Sequence, residues 1–96
     1  MTTEIIQESL LEKLRAEIDE ADRVLIDTLL KRMNLVKMVG EYKKERGIPP
    51  LDQKRWEQVV KSRSEYAQGL GLSPELIVEI FEILHKYALQ IESEIK

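Results

Sequence analysis

A single helical stretch, from about Glu4 to about Lys44 with no Gly or Pro before Gly40, limits what this chain can fold into. At ~1.5 Å per residue a helix of this length spans roughly 60 Å, about twice the diameter of a compact chain of this size. Its apolar stripe therefore extends beyond what the rest of the chain can cover. We expect a second copy of the chain to cover the remainder.

Turn-forming residues divide the chain into three predicted helices. Gly47 and the two prolines after it end the first helix. Asp52 is a predicted N-cap for the second, and Ser73 before Pro74 predicts an N-cap followed by proline at the first helical position of the third. The predicted helices cover, in order, about residues 4–44, 52–68 and 73–95.

Apolar residues recur every three to four positions in the first and third stretches, which is typical of amphipathic helices. No stretch shows the alternation of a β-strand. The predicted fold class is therefore all-α, with a three-helix protomer that has one very long N-terminal helix. Two such protomers would pair as an intertwined helical homodimer, in which residues 1–96 of each chain form a single domain.

Composition excludes several kinds of chemistry. The chain has no Cys and one His, His85, which excludes disulfides and thiolate catalysis and leaves little for a metal site. We expect no metal and no cofactor. The net charge of -3, with Lys and Arg dispersed, argues against nucleic acid as a partner. No long apolar run or basic leader points to a membrane or to export, so a cytoplasmic location is expected.

Several cations lie on or beside the apolar stripe of the first helix, where they need an anion to offset the cost of their desolvation. Arg32 and Lys43 are eleven residues apart, so they point within about 20° of each other. Arg15 lies roughly 25 Å from Arg32 along the helix and could join the same site only from a partner chain. Arg55, in the first turn of the second predicted helix, would be the fourth cation of this candidate site. The alternative is that these are edge residues with their charged ends in water.

Four segments together resemble the all-α class of chorismate mutases (AroQ-type), in order and over nearly the whole chain. They are Leu14–Asp22, Leu30–Val36, Val39–Lys43 and Pro50–Arg55. The resemblance implies a three-helix protomer in an intertwined dimer with two active sites. It also implies an isomerase that rearranges chorismate to prephenate in phenylalanine and tyrosine biosynthesis. That intramolecular reaction requires no nucleophile, metal or redox cofactor.

The resemblance implies a role for each matching residue. Arg15 of the partner subunit would bind one substrate carboxylate, and Arg32 would bind the other. Lys43 would donate a hydrogen bond to the ether oxygen of the enolpyruvyl group. Asp52 and Arg55 match the segment that closes over the ring and its hydroxyl.

Three positions depart from the pattern of the family. Trp56 stands where many members have a Glu that contacts the substrate hydroxyl, and Ala88 stands where a Ser is frequent. Glu92 replaces a Gln whose amide donates to the same ether oxygen as Lys43. The residues expected to act in catalysis are thus Lys43, Glu92 and Arg32, with Ala88 among those that line the site.

Glu92 can donate a hydrogen bond only when it is protonated. Desolvation on the apolar stripe favours the neutral form, whereas nearby Lys43 favours the carboxylate. Our hypothesis is that Glu92 acts in its protonated form, which predicts a mutase more active at mildly acidic than at alkaline pH. The alternative is an edge carboxylate paired with a lysine.

Two other functions stay open. An isochorismate pyruvate lyase uses the same fold and nearly the same cations. A non-catalytic helical dimerisation or regulatory module would also explain the departures at Trp56, Ala88 and Glu92. The alternatives also include an origin in a longer fusion protein and association with another shikimate-pathway enzyme.

Overall fold

The computed structural model of the chain describes the backbone of residues 3–95 and the side chains of residues 9–95. Over this range it contains three helices and no strand, which confirms the all-α fold class. The helices are α1 (Thr3–Glu45), α2 (Gln53–Gly69) and α3 (Pro74–Glu94). Each bound differs by one residue from the sequence-based expectation. Residues 1, 2 and 96, at the ends of the predicted domain, lie outside the described residues.

Side-chain caps fix the beginnings of α2 and α3. The Asp52 carboxylate accepts a hydrogen bond from the Arg55 backbone N–H at 3.0 Å. The Ser73 hydroxyl accepts one from the Leu76 backbone N–H at 3.2 Å. Both predicted N-caps are therefore confirmed, and each satisfies a backbone donor that has no partner within its helix.

Glu75 adds a charge to the first turn of α3. Hydrogen bonding with its own backbone N–H, and then with the Ser73 hydroxyl at 3.0 Å, lowers the pKa of this exposed carboxyl. A lowered pKa means that the ionised form is favoured in the folded chain. The stabilising contribution is therefore present above the ordinary pKa of the carboxyl and is lost as pH falls through the folded-state value.

The chain divides into two compact units, Met1–Met33 and Asn34–Lys96. The described part of the first unit is helical throughout, and its large apolar side chains are mostly exposed. Ile18 is 58% exposed and Ile26 is 63% exposed. An apolar face of this extent on one helix is typical of a surface that another protein covers.

The second unit contains the end of α1 together with α2 and α3. Among the described side chains its buried apolar residues are small or β-branched: Val59, Ala67 and Ala88. Gly40 of α1 is also buried. A Cβ added to Gly40 would lie 3.1 Å from Glu92 Cα and in closer contact with Ile95 Cδ1, so the backbones of α1 and α3 approach closely here because Gly40 lacks a side chain.

None of the helices, over the described residues, carries an apolar run long enough to cross a membrane.

Candidate active site

An ion pair between Lys43 and Glu92 joins the last turn of α1 to the last turn of α3. Lys43 Nζ lies 3.0 Å from Glu92 Oε1, and the two side chains are 18% and 8% exposed. Glu92 is therefore a buried carboxylate and not an edge residue. Removing one member of such a pair would leave the other charge buried without a partner, which is strongly unfavourable.

Lys43 is also held by the loop between α1 and α2. Its ammonium donates a hydrogen bond to the Pro50 carbonyl at 2.6 Å. An ammonium has three N–H donors, so the contact with Pro50 leaves donors for a ligand. Lys43 thereby links α1, the loop and α3 at one point. These contacts fix the position of its ammonium in the absence of a ligand.

Glu92 Oε1 has hydrogen-bonding capacity that the described residues do not use. The atom is buried and accepts no directed hydrogen bond within the described part of the chain, so its contact with Lys43 is an ion pair without hydrogen-bond geometry. A buried polar oxygen without a hydrogen bond costs free energy. Such an atom could accept a hydrogen bond from a bound ligand.

A cavity of about 290 Å³ lies at this point, lined by the ends of α1 and α3 and by the loop that contains Pro50. Its polar lining includes Lys43, Lys44 and Glu92, and Ile48 and Ile95 are part of its apolar lining. The volume is near the lower end of the range for small-molecule pockets. The cavity thus combines an apolar wall with two cations and one buried carboxyl.

Three further predicted site residues belong to the same unit. Asp52 and Arg55 are exposed at the N-terminus of α2, where the Asp52 carboxylate is oriented by its bond to the Arg55 backbone. Ala88 is buried in α3, one turn before Glu92. Its methyl group cannot hydrogen-bond a carboxylate, so this position contributes space and apolar surface.

Arg15 and Arg32 belong to the first unit, Met1–Met33. Both are on α1, where Arg15 is exposed and Arg32 is partly buried. Of the predicted catalytic residues, the structure therefore brings Lys43 and Glu92 together within one unit. The roles assigned to the two arginines stay predictions.

Trp56 stacks on His85, a contact that the sequence did not predict. The ring centroids are 4.0 Å apart and the planes differ by 10°. His85 lies seven residues before Glu92, about two turns along the same face of α3. The aromatic pair therefore borders the face of α3 that carries Ala88 and Glu92.

Sequence reasoning also missed two backbone acceptors. One is the Pro50 carbonyl, and the other is the Ile95 carbonyl, which accepts a hydrogen bond from Lys44 Nζ at 3.0 Å. A main-chain oxygen has no residue-type signature, so no sequence pattern marks these two contacts. Pro50 could be read only as part of a loop.

Comparison with known proteins places this arrangement in a family. The profile of the family "Chorismate mutase type II" matches residues 14–93. The chain is 35% identical over 81 residues to "T-protein" of Enterobacter agglomerans, a match that covers 84% of this chain and 22% of T-protein. It is 30% identical over 82 residues to "Chorismate mutase" of Methanocaldococcus jannaschii, covering 83% of each protein.

A further relative carries a related name. The chain is 29% identical over 82 residues to "4-amino-4-deoxychorismate mutase" of Streptomyces venezuelae, and the match covers 85% of this chain and 80% of that protein. The chain thus spans most of two relatives and about a fifth of T-protein. The segment matched by the family profile contains every predicted site residue from Arg15 to Glu92, so the resemblance seen in the sequence is confirmed: the chain belongs to the chorismate mutase type II family.

Proposed function

We propose that this chain is a chorismate mutase, an isomerase that converts chorismate to prephenate on the route to phenylalanine and tyrosine. The observation that carries the proposal is the partly buried ammonium of Lys43. It is held between the Pro50 carbonyl and Glu92, beside a cavity of about 290 Å³, within the segment that matches the family. A fixed, partly desolvated cation is what a reaction that develops negative charge on one oxygen requires.

The chemistry needs no group from outside the chain. In the rearrangement a C–O ether bond breaks while a C–C bond forms within the same molecule, and electron density grows on the ether oxygen. A Lys43 N–H group not bonded to Pro50 would donate to that oxygen. Protonated Glu92 would supply a second donor. Holding the flexible substrate in its compact conformer would lower the barrier further, because the reacting carbons must first be brought together.

The experiment that tests the proposal is a turnover assay on the purified chain with chorismate and, separately, with isochorismate. Loss of chorismate with formation of prephenate is the expected result. Release of pyruvate from isochorismate without prephenate formation would instead identify a lyase. No turnover of either compound, with Arg32→Ala indistinguishable from wild type, would favour a non-catalytic dimerisation or regulatory module.

If Glu92 acts in its protonated form, as we propose, the chain should be more active at mildly acidic than at alkaline pH. The variant Glu92→Gln carries a permanent amide donor. Its kcat should therefore vary less with pH and exceed that of the wild type at alkaline pH. The measurement is kcat for both proteins across a pH series. Equally flat profiles would contradict a role for the protonated carboxyl.

We further propose that the working form is a cytoplasmic, intertwined homodimer in which residues 1–96 of each chain form one domain. The exposed apolar side chains of the first unit support this, because a second chain would remove them from water. In such a dimer each site would take Arg15 from one chain. The other chain would supply the remaining residues, which are Arg32, Lys43, Asp52 and Arg55.

A mixing experiment tests the shared site. Homodimers of Arg15→Ala and homodimers of Lys43→Met should each have little activity. When the two chains are unfolded together and refolded, each mixed dimer would contain one intact site and one doubly altered site. With random pairing, about a quarter of the wild-type activity should return. No recovery, in a sample shown to contain mixed dimers, would contradict the cross-subunit role of Arg15.

A second candidate substrate is 4-amino-4-deoxychorismate. Two observations favour testing it: a relative bears that name, and Trp56, which stacks on His85, stands where the resemblance implies a Glu that contacts the ring hydroxyl. The same two donors would act on the same ether oxygen, so the rearrangement itself would be unchanged. The ratio of kcat/KM for the amino and hydroxyl compounds, measured with one enzyme preparation, decides which substrate the site prefers.

A further inference from the structure

We infer that Lys44 is a positioning residue that holds the end of α3, and with it Glu92, against α1. The inference rests on the proposed function, because it assigns Lys44 an effect on the rate that passes through Glu92. It concerns a lysine next to Lys43 in sequence whose ammonium is bonded to the backbone of another helix.

The contact lies at the C-terminus of α3. Lys44 Nζ donates a hydrogen bond to the Ile95 carbonyl at 3.0 Å. Ile95 is the C-cap residue, with an extended backbone conformation, so the helix ends here. The Ile95 carbonyl lies beyond Glu94, the last helical residue, so α3 offers it no partner and Lys44 supplies one.

α3 does not supply such a cation itself. The described last turn of α3 contains no basic residue, whereas the last turn of α1 contains Lys43 and Lys44. The cation at the end of α3 is therefore provided across the fold, by a residue 51 positions away. Because the contact joins the end of α1 to the end of α3, its loss would remove one of the contacts that hold the end of α3 in place.

Two contacts near Glu92 hold the C-terminal end of α3 against α1. On one side, Gly40 of α1 allows close contact with Glu92 and with the Ile95 side chain. On the other side, Lys44 holds the Ile95 carbonyl, three residues beyond Glu92. Without Lys44, the Gly40 contact and the ion pair with Lys43 are the ties that the described residues would keep on the Glu92 carboxyl.

A competing explanation must be separated from this one. Lys44 also lines the cavity, so its charge could simply attract an anionic substrate. Loss of long-range attraction would raise KM and leave kcat nearly unchanged. Loss of positioning would lower kcat, because a displacement of about 1 Å at a reacting group can cost up to ~100-fold in rate.

The test compares Lys44→Met and Lys44→Arg in the wild-type and Glu92→Ala backgrounds. We expect Lys44→Met to lower kcat about 10-fold with a change in KM below about 2-fold. Lys44→Arg, which keeps a donor of similar reach, should restore most of the rate. In the Glu92→Ala background Lys44→Met should cause no further loss, since residues that act through each other are not additive.

A matched control and a readout without turnover accompany the kinetics. Lys37→Met removes an exposed lysine about two turns earlier on the same face of α1 and should leave kcat unchanged. Amide hydrogen exchange in the last turn of α3 should be about 10-fold faster in Lys44→Met than in Lys37→Met.

Several results would overturn the inference. They are equal exchange in the two variants, a change in KM alone, and an equal loss of kcat with and without Glu92. The exchange measurement tests Lys44 even if the chain does not turn over chorismate. Failure of the proposed function would instead appear as an inactive wild type.

Discussion

Replacing Lys43 with methionine is expected to lower kcat/KM for chorismate about 10³-fold and to reduce the free energy of unfolding by roughly 3 kcal/mol. The loss of activity would follow from removal of the proposed donor to the ether oxygen. The loss of stability has a different cause, because the Glu92 side chain is 8% exposed and would keep a buried carboxylate without a countercharge. Steady-state kinetics and urea unfolding measure the two effects separately.

The double variant Lys43→Met/Glu92→Met is the control that separates these effects. Replacing both members of a buried ion pair with apolar side chains is often neutral or stabilising. We therefore expect the double variant to recover most of the unfolding free energy and to remain as inactive as Lys43→Met. If it were as unstable as the single variant, the buried charge would not be the cause. A single variant that retained most of its activity would contradict the catalytic role of Lys43.

The second large effect is expected for Gly40→Ala. In the interior of an exposed helix this substitution would usually stabilise by up to about 1 kcal/mol, because alanine is the better helix former. Here the added Cβ would lie 3.0 Å from Glu92 Cγ and 3.1 Å from Glu92 Cα, which forces α3 away from α1. We expect a net destabilisation of about 2 kcal/mol, typical of an overpacked interior. Activity should fall as well, by up to ~100-fold, because Glu92 moves away from Lys43.

Gly69→Ala is the matched control for this variant. Gly69 is also helical, at the end of α2, but its added Cβ would meet no atom within 4 Å. The substitution should therefore be neutral or slightly stabilising and should leave kcat unchanged. Thermal unfolding and chorismate turnover of the two alanine variants form one comparison. Similar behaviour of the two would show that close packing at Gly40 does not control the site.

The helices could be predicted because residues close in sequence determine where each helix begins and ends. Asp52 and Ser73 cap their helices through side-chain oxygens, and Gly47 takes the positive φ of 66° that follows the end of α1. These signals act over a few residues, so one sequence is enough to recognise them. The length of α1 follows in the same way from the absence of a breaker.

The site was predictable only in part, because its contacts depend on how helices far apart in sequence pack together. The resemblance to the family pointed to Lys43 and Glu92 as site residues. In the structure Lys43 Nζ lies 3.0 Å from Glu92 Oε1. The Pro50 carbonyl was not predictable, since any residue has a backbone oxygen. The stack of Trp56 on His85 was not predictable either, because it depends on the rotation of α2 relative to α3.

That stack gives the protein an intrinsic optical probe. Trp56 is the only tryptophan in the sequence, and its indole ring lies against a side chain of α3. Separation of α2 from α3 would therefore change its fluorescence, whereas rearrangements confined to α1 would leave the stack intact. Circular dichroism, by contrast, averages over all helices. Comparing the two signals during unfolding would reveal whether α2 and α3 come apart in the same step as the rest of the chain.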